Sequence, residues 1–545
     1  MTADLEDLKK WIVDMAVLIM KNAEPDPLHY APFLQEPDLA LLLISLLDSL
    51  EDNEVEAQHA YYSACVFALD ICVAQLQAAE ESGNKTAMKT LDQLMFTIAK
   101  AINNGKHSLS FWLPILNAFY EVHVELTPEL KEAYLNLAGQ EEELSPEEEI
   151  DHLHAIRDMI EELSDLSVFD IAENFFAQSY AMPSDFFADL IIDLYSIEEG
   201  QEIGLLTLLH PKKEVREVVV ATFEQLIKTI TLSPISLSRL QAIKNWYPES
   251  YHEQFERWIK IQRMKGVVFS SETSTPSIHI KASEVDGSGA QGIFIHAKLQ
   301  RKNYLCGLLF KYKFGIKDAW ITPSIPANEV PKYYSEAFDD SVTLRDVDTS
   351  YLLMMTGHFL ALMIKKGEMP DLHLLEIQEL LGLHFLPHSM DIPYLIEQLS
   401  VQITPFTPEA MQLSLKRSKN WPKNKRFTES WYIENSHIDK LVNRYCTIID
   451  GVKVCSTEEA IADIFAHELE KQRDKWLFHF LWIALWIKSK MRKNEKIWQD
   501  SLFIAYAINS GMPLAEIPIM HEICQQSVIN SIETMNERRT HLNKE

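Results

Sequence analysis

At 545 residues the chain can hold about two to four cores, and 47 % apolar with 24 % charged residues excludes a disordered or collagen-like polymer. Only 16 glycines argue against a mostly β architecture with many tight turns. The net charge of −30 lies wholly in residues 1–200, which carry 39 Asp and Glu against 9 Lys and Arg, while the other 345 residues hold 41 of each. A surface of that sign repels nucleic acid and anionic lipid and attracts a basic partner. The six cysteines (Cys65, Cys72, Cys306, Cys446, Cys455, Cys524) form no CxxC pair and read as buried, reduced thiols of a cytoplasmic protein. The opening MTADLEDLKKW has no basic stretch followed by an apolar one, so no secretory leader is expected.

In chain order, residues 1–140 read as an acidic helical subdomain. Leu5, Leu8, Ile12, Met15, Ala16 and Ile19 recur at helical spacing, and DLALLLISLLDSL (38–50) is apolar nearly all round, which marks a central helix. Further helices are expected over 55–79 and 86–103, with a break at Glu81–Lys85. Thr127-Pro128-Glu129 opens another, expected to stop at Gly139. In EEELSPEEEI, Ser145 and Glu148 have capping-box spacing with Pro146 at the first helical position. The acidic run Glu141, Glu142, Glu143, Glu147, Glu148 and Glu149 is the candidate surface for a basic protein partner.

Residues 141–265 read as a second helical subdomain. In GLLTLLHPKKEVREVVVATFEQLI (Gly204–Ile227), Leu205, Leu206, Leu208 and Leu209 end one helix and Pro211 breaks the chain. Val215, Arg216, Val218, Val219, Ala221, Phe223 and Leu226 then line a second helix. This stretch resembles a HEAT-type helical hairpin, and helices at 184–196, 234–245 and 248–264 have suitable lengths beside it. The resemblance implies an irregular α-solenoid that binds protein and performs no chemistry.

From Gly266 the composition changes. Strands are predicted at 277–285, 292–300 and 304–314, joined by Asp286-Gly287-Ser288-Gly289 and Arg301-Lys302-Asn303, with helices at 327–337, 348–366 and 371–382. Residues 266–406 thus read as a small antiparallel sheet plus helices in a mostly α protein. Residues 407–431 follow as a basic hinge. Thr407-Pro408-Glu409 starts a helix, and Lys416, Arg417, Lys419, Lys423, Lys425 and Arg426 then crowd into a stretch of Ser, Asn and Pro that reads as an exposed loop. Such a loop is open to proteases, with Met411, Gln412 and the six basic residues as the cleavable positions.

Residues 432–545 read as a compact C-terminal helical domain. It holds a helix at 436–446, a hairpin on Asp450-Gly451, and a capping box of Ser456 with Glu459 opening a helix to about Gln472. WLFHFLWIALWI (Trp476–Ile487) falls short of the roughly 18–20 apolar residues of a membrane span and reads as a buried helix. A final helix is expected from Pro513 to Asn536.

No phosphate-binding glycine loop, nucleotide fingerprint or nucleophile elbow is present. His467-Glu468 and His521-Glu522 lack the second histidine of a zinc protease, since Lys471 and Gln525 stand there. His373, His384 and His388 with Asp391 read as ordinary surface or capping groups, and nothing marks Cys306 as an activated thiolate. No metal and no cofactor are expected. In length, order of parts and hinge position the chain resembles the protease-substrate protein of type III-E CRISPR systems. That likeness implies a loop cut by a caspase-like protease and a sigma-factor partner. The expected function is therefore a non-enzymatic regulator that binds or sequesters a protein partner. Two alternatives are an enzyme using Asp286, His296 and Asp318 in the 266–340 insert, and a nucleic-acid binder using residues 416–431 with Trp421, Phe427, Trp431 and Tyr432 for stacking.

Overall fold

The computed structural model describes residues 5–542, except 22, 24, 26, 51–58, 82, 145–151, 271–275, 338–341, 434, 435, 450, 451 and 491–495. The described residues are mostly helical, with a five-stranded antiparallel sheet, a separate two-stranded hairpin and a C-terminal helical region. It divides into two compact units, one up to Gly204 and the other from Leu205 to Thr540.

Among the described residues the first unit's regular structure is all helix: α1 (Leu5–Ile19), α2 (Pro27–Gln35), α3 (Ala40–Ser49), α4 (His59–Glu81), α5 (Lys85–Asn103), α6 (Leu109–Glu121), α7 (Pro128–Leu144), α8 (His152–Glu162), α9 (Val168–Gln178) and α10 (Phe186–Ser196). The break before α5 falls where expected. Gly83 takes φ +85°, and the Asn84 side chain accepts from the amides of Thr86 (3.0 Å) and Ala87 (3.4 Å). Leu8, Ile12, Met15 and Ala16 of α1 are buried as the spacing predicts, whereas Leu5 is exposed. The helix expected to end at Gly139 runs on to Leu144, because a single glycine costs a helix only about 1 kcal/mol. The proposed cap at Ser145 and Glu148 lies outside the described residues. α4 is long and apolar enough to cross a bilayer, yet it packs against α1, α2, α3, α5 and α6 and buries Tyr62, Leu69, Cys72 and Val73.

The expected hairpin comes next in the chain: α11 (Gln201–Leu206), a 3-10 turn over Thr207–Leu209, and α12 (Lys213–Leu226). Leu205, Leu206, Leu208, Leu209, Val219 and Phe223 are buried. Ala221 is exposed and Val220 takes its place in the core. Arg216 is buried as well, where its guanidinium donates to the carbonyls of His210, Pro211 and Gly367, each at 2.7 Å. Helices α13 (Pro234–Trp246) and α14 (Glu249–Met264) follow, with Phe223 4.9 Å from the Trp258 ring.

The sheet has five strands, two more than the sequence predicts: β1 (Ser277–Ser283), β2 (Ala290–Leu299), β3 (Lys302–Lys311), β4 (Gly315–Ile321) and β5 (Leu344–Val347), in the order β4-β3-β2-β1-β5. Between β4 and β5 lies α15 (Val330–Ala337), and after β5 come α16 (Thr349–Lys366), α17 (His373–Leu381) and α18 (Ile392–Ser400). Ile280, Ala282, Ile293, Ile295, Ala297, Leu308 and Phe310 alternate onto the buried face.

The rest of the unit comprises α19 (Pro408–Ser418), α20 (Trp421–Asn424), α21 (Ser436–Arg444), β6 (Cys446–Ile449), β7 (Val452–Cys455), α22 (Thr457–Ile464), α23 (Arg473–Ser489), α24 (Ile497–Asn509) and α25 (Pro518–Leu542). As expected, Trp476–Ile487 is buried in α23, save for the half-buried Leu477. Three details differ from expectation. The Ser456 side chain makes no capping hydrogen bond. The last helix starts at Pro518 after a short 3-10 turn, so the stretch from Pro513 is not yet helical. Cys446 and Cys455, expected as free thiols, are joined in a disulfide. The reason is register: β6 and β7 pair Ile449 with Val452, which places Cys446 directly opposite Cys455. The other four cysteines are buried, and burial pushes their thiols up to about 12.

Candidate functional site

The basic segment 407–431 is folded, which corrects the expectation of an exposed loop. Thr407 caps α19 as predicted, its hydroxyl accepting from the Ala410 amide at 3.2 Å. Beyond Ser418 the chain takes one short helical turn at Trp421–Asn424 and a 3-10 turn at Arg426–Thr428. Leu415, Ser418, Trp421, Phe427 and Trp431 point inward, while Lys416, Arg417, Lys419, Lys423 and Arg426 stay exposed and Lys425 is half-buried. Met411 is half-buried and Gln412 exposed, both within the helix. Three aromatics are interspersed among the cations because the segment is a lid with a wet outer side and a dry inner one.

Three groups of contacts hold it down. The hydroxyl of Ser418 accepts from the Ile519 amide at 3.2 Å. Arg417 pairs with Asp500 of α24, whose Oδ1 also accepts from Ser414 Oγ at 2.7 Å. This carboxylate keeps the guanidinium firmly charged. At the far end Trp431 is buried, and its Nε1 donates to the carbonyl of Val285 at 2.8 Å. Its ring stands 4.6 Å from His479, 5.6 Å from Phe427 and 5.7 Å from Phe480.

The Asp286–Gly289 turn completes the clamp. Asp286 accepts from the Ala290 amide at 2.8 Å and from Ser288 at 2.7 Å, so it is a hairpin turn and no phosphate cradle. A Cβ on Gly287 would sit 2.3 Å from the carbonyl oxygen of Ser430 and 2.7 Å from that of Tyr432, so only glycine lets the turn meet the basic segment. Lys475 then donates to the Gly287 carbonyl at 2.7 Å, and burial lowers its ammonium to about 8. One turn further along α23, His479 is buried with both ring nitrogens lacking a partner. Burial first, and the Lys475 charge second, lower it to about 3, so the ring is neutral at physiological pH.

Deeper in the core a polar knot joins sheet and helices. Gln291 Oε1 accepts from Tyr351 OH at 2.6 Å and from Trp482 Nε1 at 3.0 Å, while its amide donates to the Ser283 carbonyl at 2.8 Å. The sequence offered no sign of this beyond a lone glutamine in an alternating strand.

The other candidates are scattered. Asp286 is engaged in its own turn, and His296 Nε2 lies 3.1 Å from Asn303 Oδ1. Asp318 stands opposite Leu309 on β4, and Leu309 stands opposite Gly292. Four residues and two strands therefore separate Asp318 from His296, about 16 Å at ordinary sheet spacings. The enzyme reading that joins these three residues loses its geometry. His373 pairs with Glu376 at 2.8 Å, and among the described residues no trio of metal-ligating atoms includes His384 or His388. Of the four residues of the stacking reading, Trp421, Phe427 and Trp431 are buried and offer no face to a base, and Tyr432 is half-buried. Glu141, Glu142 and Glu143 lie in the last turn of α7, and Glu147, Glu148 and Glu149 lie outside the described residues.

Residues 183–266 match the model of the Y4lR second domain, residues 273–422 match a domain of unknown function (DUF7401), and residues 393–532 match the Y4lR C-terminal helical domain. The chain is 27 % identical over 357 residues to the uncharacterized protein y4lR of Sinorhizobium fredii (strain NBRC 101917 / NGR234). The likeness covers 64 % of this chain and 66 % of that relative. No solved structure matches.

Proposed function

We propose that the chain is a non-enzymatic regulatory protein that holds a basic protein partner against its acidic N-terminal 200 residues. The observation that carries this reading is the charge partition, −30 in residues 1–200 against zero in the rest. A field of that sign speeds the encounter with a basic partner and excludes nucleic acid. The helical hairpin around Phe223, like a HEAT repeat, is a scaffold element and supports the same reading. The likeness in layout to the type III-E CRISPR substrate protein suggests a transcription regulator such as a sigma factor as partner, and a protease acting near Met411–Arg426 as control, in the cytoplasm. Because α19 is folded over Ser414, Leu415 and Ser418, a protease must first unwind it, and the packing of Trp431 sets how often that happens.

The test is association kinetics. Affinity capture from the native host supplies the partner, and its binding to wild type is compared with a variant carrying Gln at positions 141, 142, 143, 147, 148 and 149. Association should slow steeply as salt rises past about 0.15 M, where the Debye length is near 8 Å. The variant should associate more slowly with little change in dissociation. Kinetics indifferent to salt and to the six substitutions would refute the electrostatic reading.

A further inference from the structure

Between α19–α20 and the start of α24 the second unit has a cleft of about 870 Å³. We propose that this cleft binds a small organic phosphate, with a nucleotide as the fitting class. Its lining carries three cations, Arg417, Lys425 and Lys496, against one carboxylate, Asp500. That carboxylate is already spent: its two oxygens take Arg417 and Ser414. Lys425 and Lys496 have no ion-pair partner among the described residues. The cleft therefore has a surplus of two positive charges around a guanidinium whose orientation is fixed by Asp500, the preorganised arrangement that favours phosphate oxygens.

Two further features narrow the ligand. Lys496 is the cap residue of α24, and a lysine has no side-chain acceptor for the first amides of a helix, so the positive end of this 13-residue helix adds to the same field. Leu413, Ile497 and Phe503 form an apolar wall, and Leu413 is more than half exposed. A free phosphate would leave that wall wet and fill a small part of the space. A phosphate on a flat, partly apolar body uses both, and the cleft has the size of ordinary small-ligand sites. The side amides of Asn420 and Asn424 line the same space and can donate to phosphate or accept from a base. The site is independent of what the acidic residues bind.

Isothermal calorimetry on the full chain with ATP, AMP, inorganic phosphate and adenosine, in EDTA, tests the proposal. ATP should bind with Kd below about 1 mM, inorganic phosphate at least about tenfold more weakly, and adenosine more weakly still. Lys425→Ala with Lys496→Ala should weaken ATP by at least about tenfold while leaving the melting temperature unchanged. ATP should also slow tryptic cutting after Lys425, which lies inside the site. No saturable heat with ATP, equal affinity in the double variant, or binding of a polyglutamate peptide in place of nucleotides would overturn it.

Discussion

Replacing Trp431 by Ala puts the folded state of the basic segment to a direct test. The side chain is 2 % exposed and is surrounded by Phe427, His479 and Phe480. Truncating such a residue costs about 3–5 kcal/mol. The Val285 carbonyl also loses its 2.8 Å donor, which adds about 1 kcal/mol. Trp431→Phe keeps most of the ring and loses only the hydrogen bond, so it should cost about 1–2 kcal/mol. Because proteolysis follows the population of the open form, a loss of even 3 kcal/mol should speed tryptic cutting after Lys416, Lys419 and Lys423 by more than about a hundredfold. The assay is limited trypsinolysis with mass spectrometry beside a circular-dichroism melt. Wild type should resist cutting between Lys416 and Arg426 under conditions where the Ala variant is cut there first. Equal cutting rates, or an unchanged melt, would mean that the segment is a loop in solution.

Phe223→Ala should destabilise the second unit by about 3–5 kcal/mol, read as a shift in calorimetric unfolding, since Phe223 is fully buried beside Trp258. Gln291→Leu should cost more than its small volume change suggests, because Tyr351 and Trp482 would each face a buried carbon. A melt within error of wild type would dissolve that knot. Burial, with help from the Glu121 charge, raises the Asp70 carboxyl to about 7. Its unfolded value is near 3.9, so ionisation is penalised only in the folded state and stability falls as pH climbs from about 4 through 7. Asp70→Asn should flatten that slope in urea titrations at pH 5 and pH 8, and a slope equal to wild type would rule the group out.

Helix positions were readable because each rests on local signals. Asn84 beside Gly83, Thr407 before Pro408, and the apolar spacing of α1 and α12 need no knowledge of the rest of the chain. The hairpin turn at Asp286–Gly289 was legible for the same reason, but its partner was not. Nothing local says that Gly287 must touch Ser430 and Tyr432, more than 140 residues on. β5 is four residues long and pairs only with β1, so its pattern is too short to register alone. The basic segment misled because six cations outnumber three aromatics in composition, whereas the aromatics decide the packing. Trp421, Phe427 and Trp431 in one polar stretch were the available signal, since a solvated linker has no use for them. The Cys446–Cys455 pair was missed although its signal is local: two short β runs joined by Asp-Gly place the two cysteines opposite one another in the register.

His479 is where local and global preference disagree most sharply. It is the one polar residue in an apolar run of twelve, and the helix buries it with neither ring nitrogen paired. An unpaired buried polar group costs about 1–3 kcal/mol. Natural sequences keep such conflicts mainly where something other than stability is selected. The ring packs edge-on to Trp431 at 4.6 Å, and the neighbouring turn holds Lys475 against Gly287. The conflict therefore sits directly under the clamp that closes the basic segment. His479→Leu keeps an apolar body there and removes both unpaired nitrogens, so the second unit should melt at the same temperature or up to several degrees higher. The same variant should make the segment harder for trypsin to open. If instead it melts lower by an amount worth about 2 kcal/mol or more, the ring nitrogens are engaged in solution and the histidine supports the clamp it now strains.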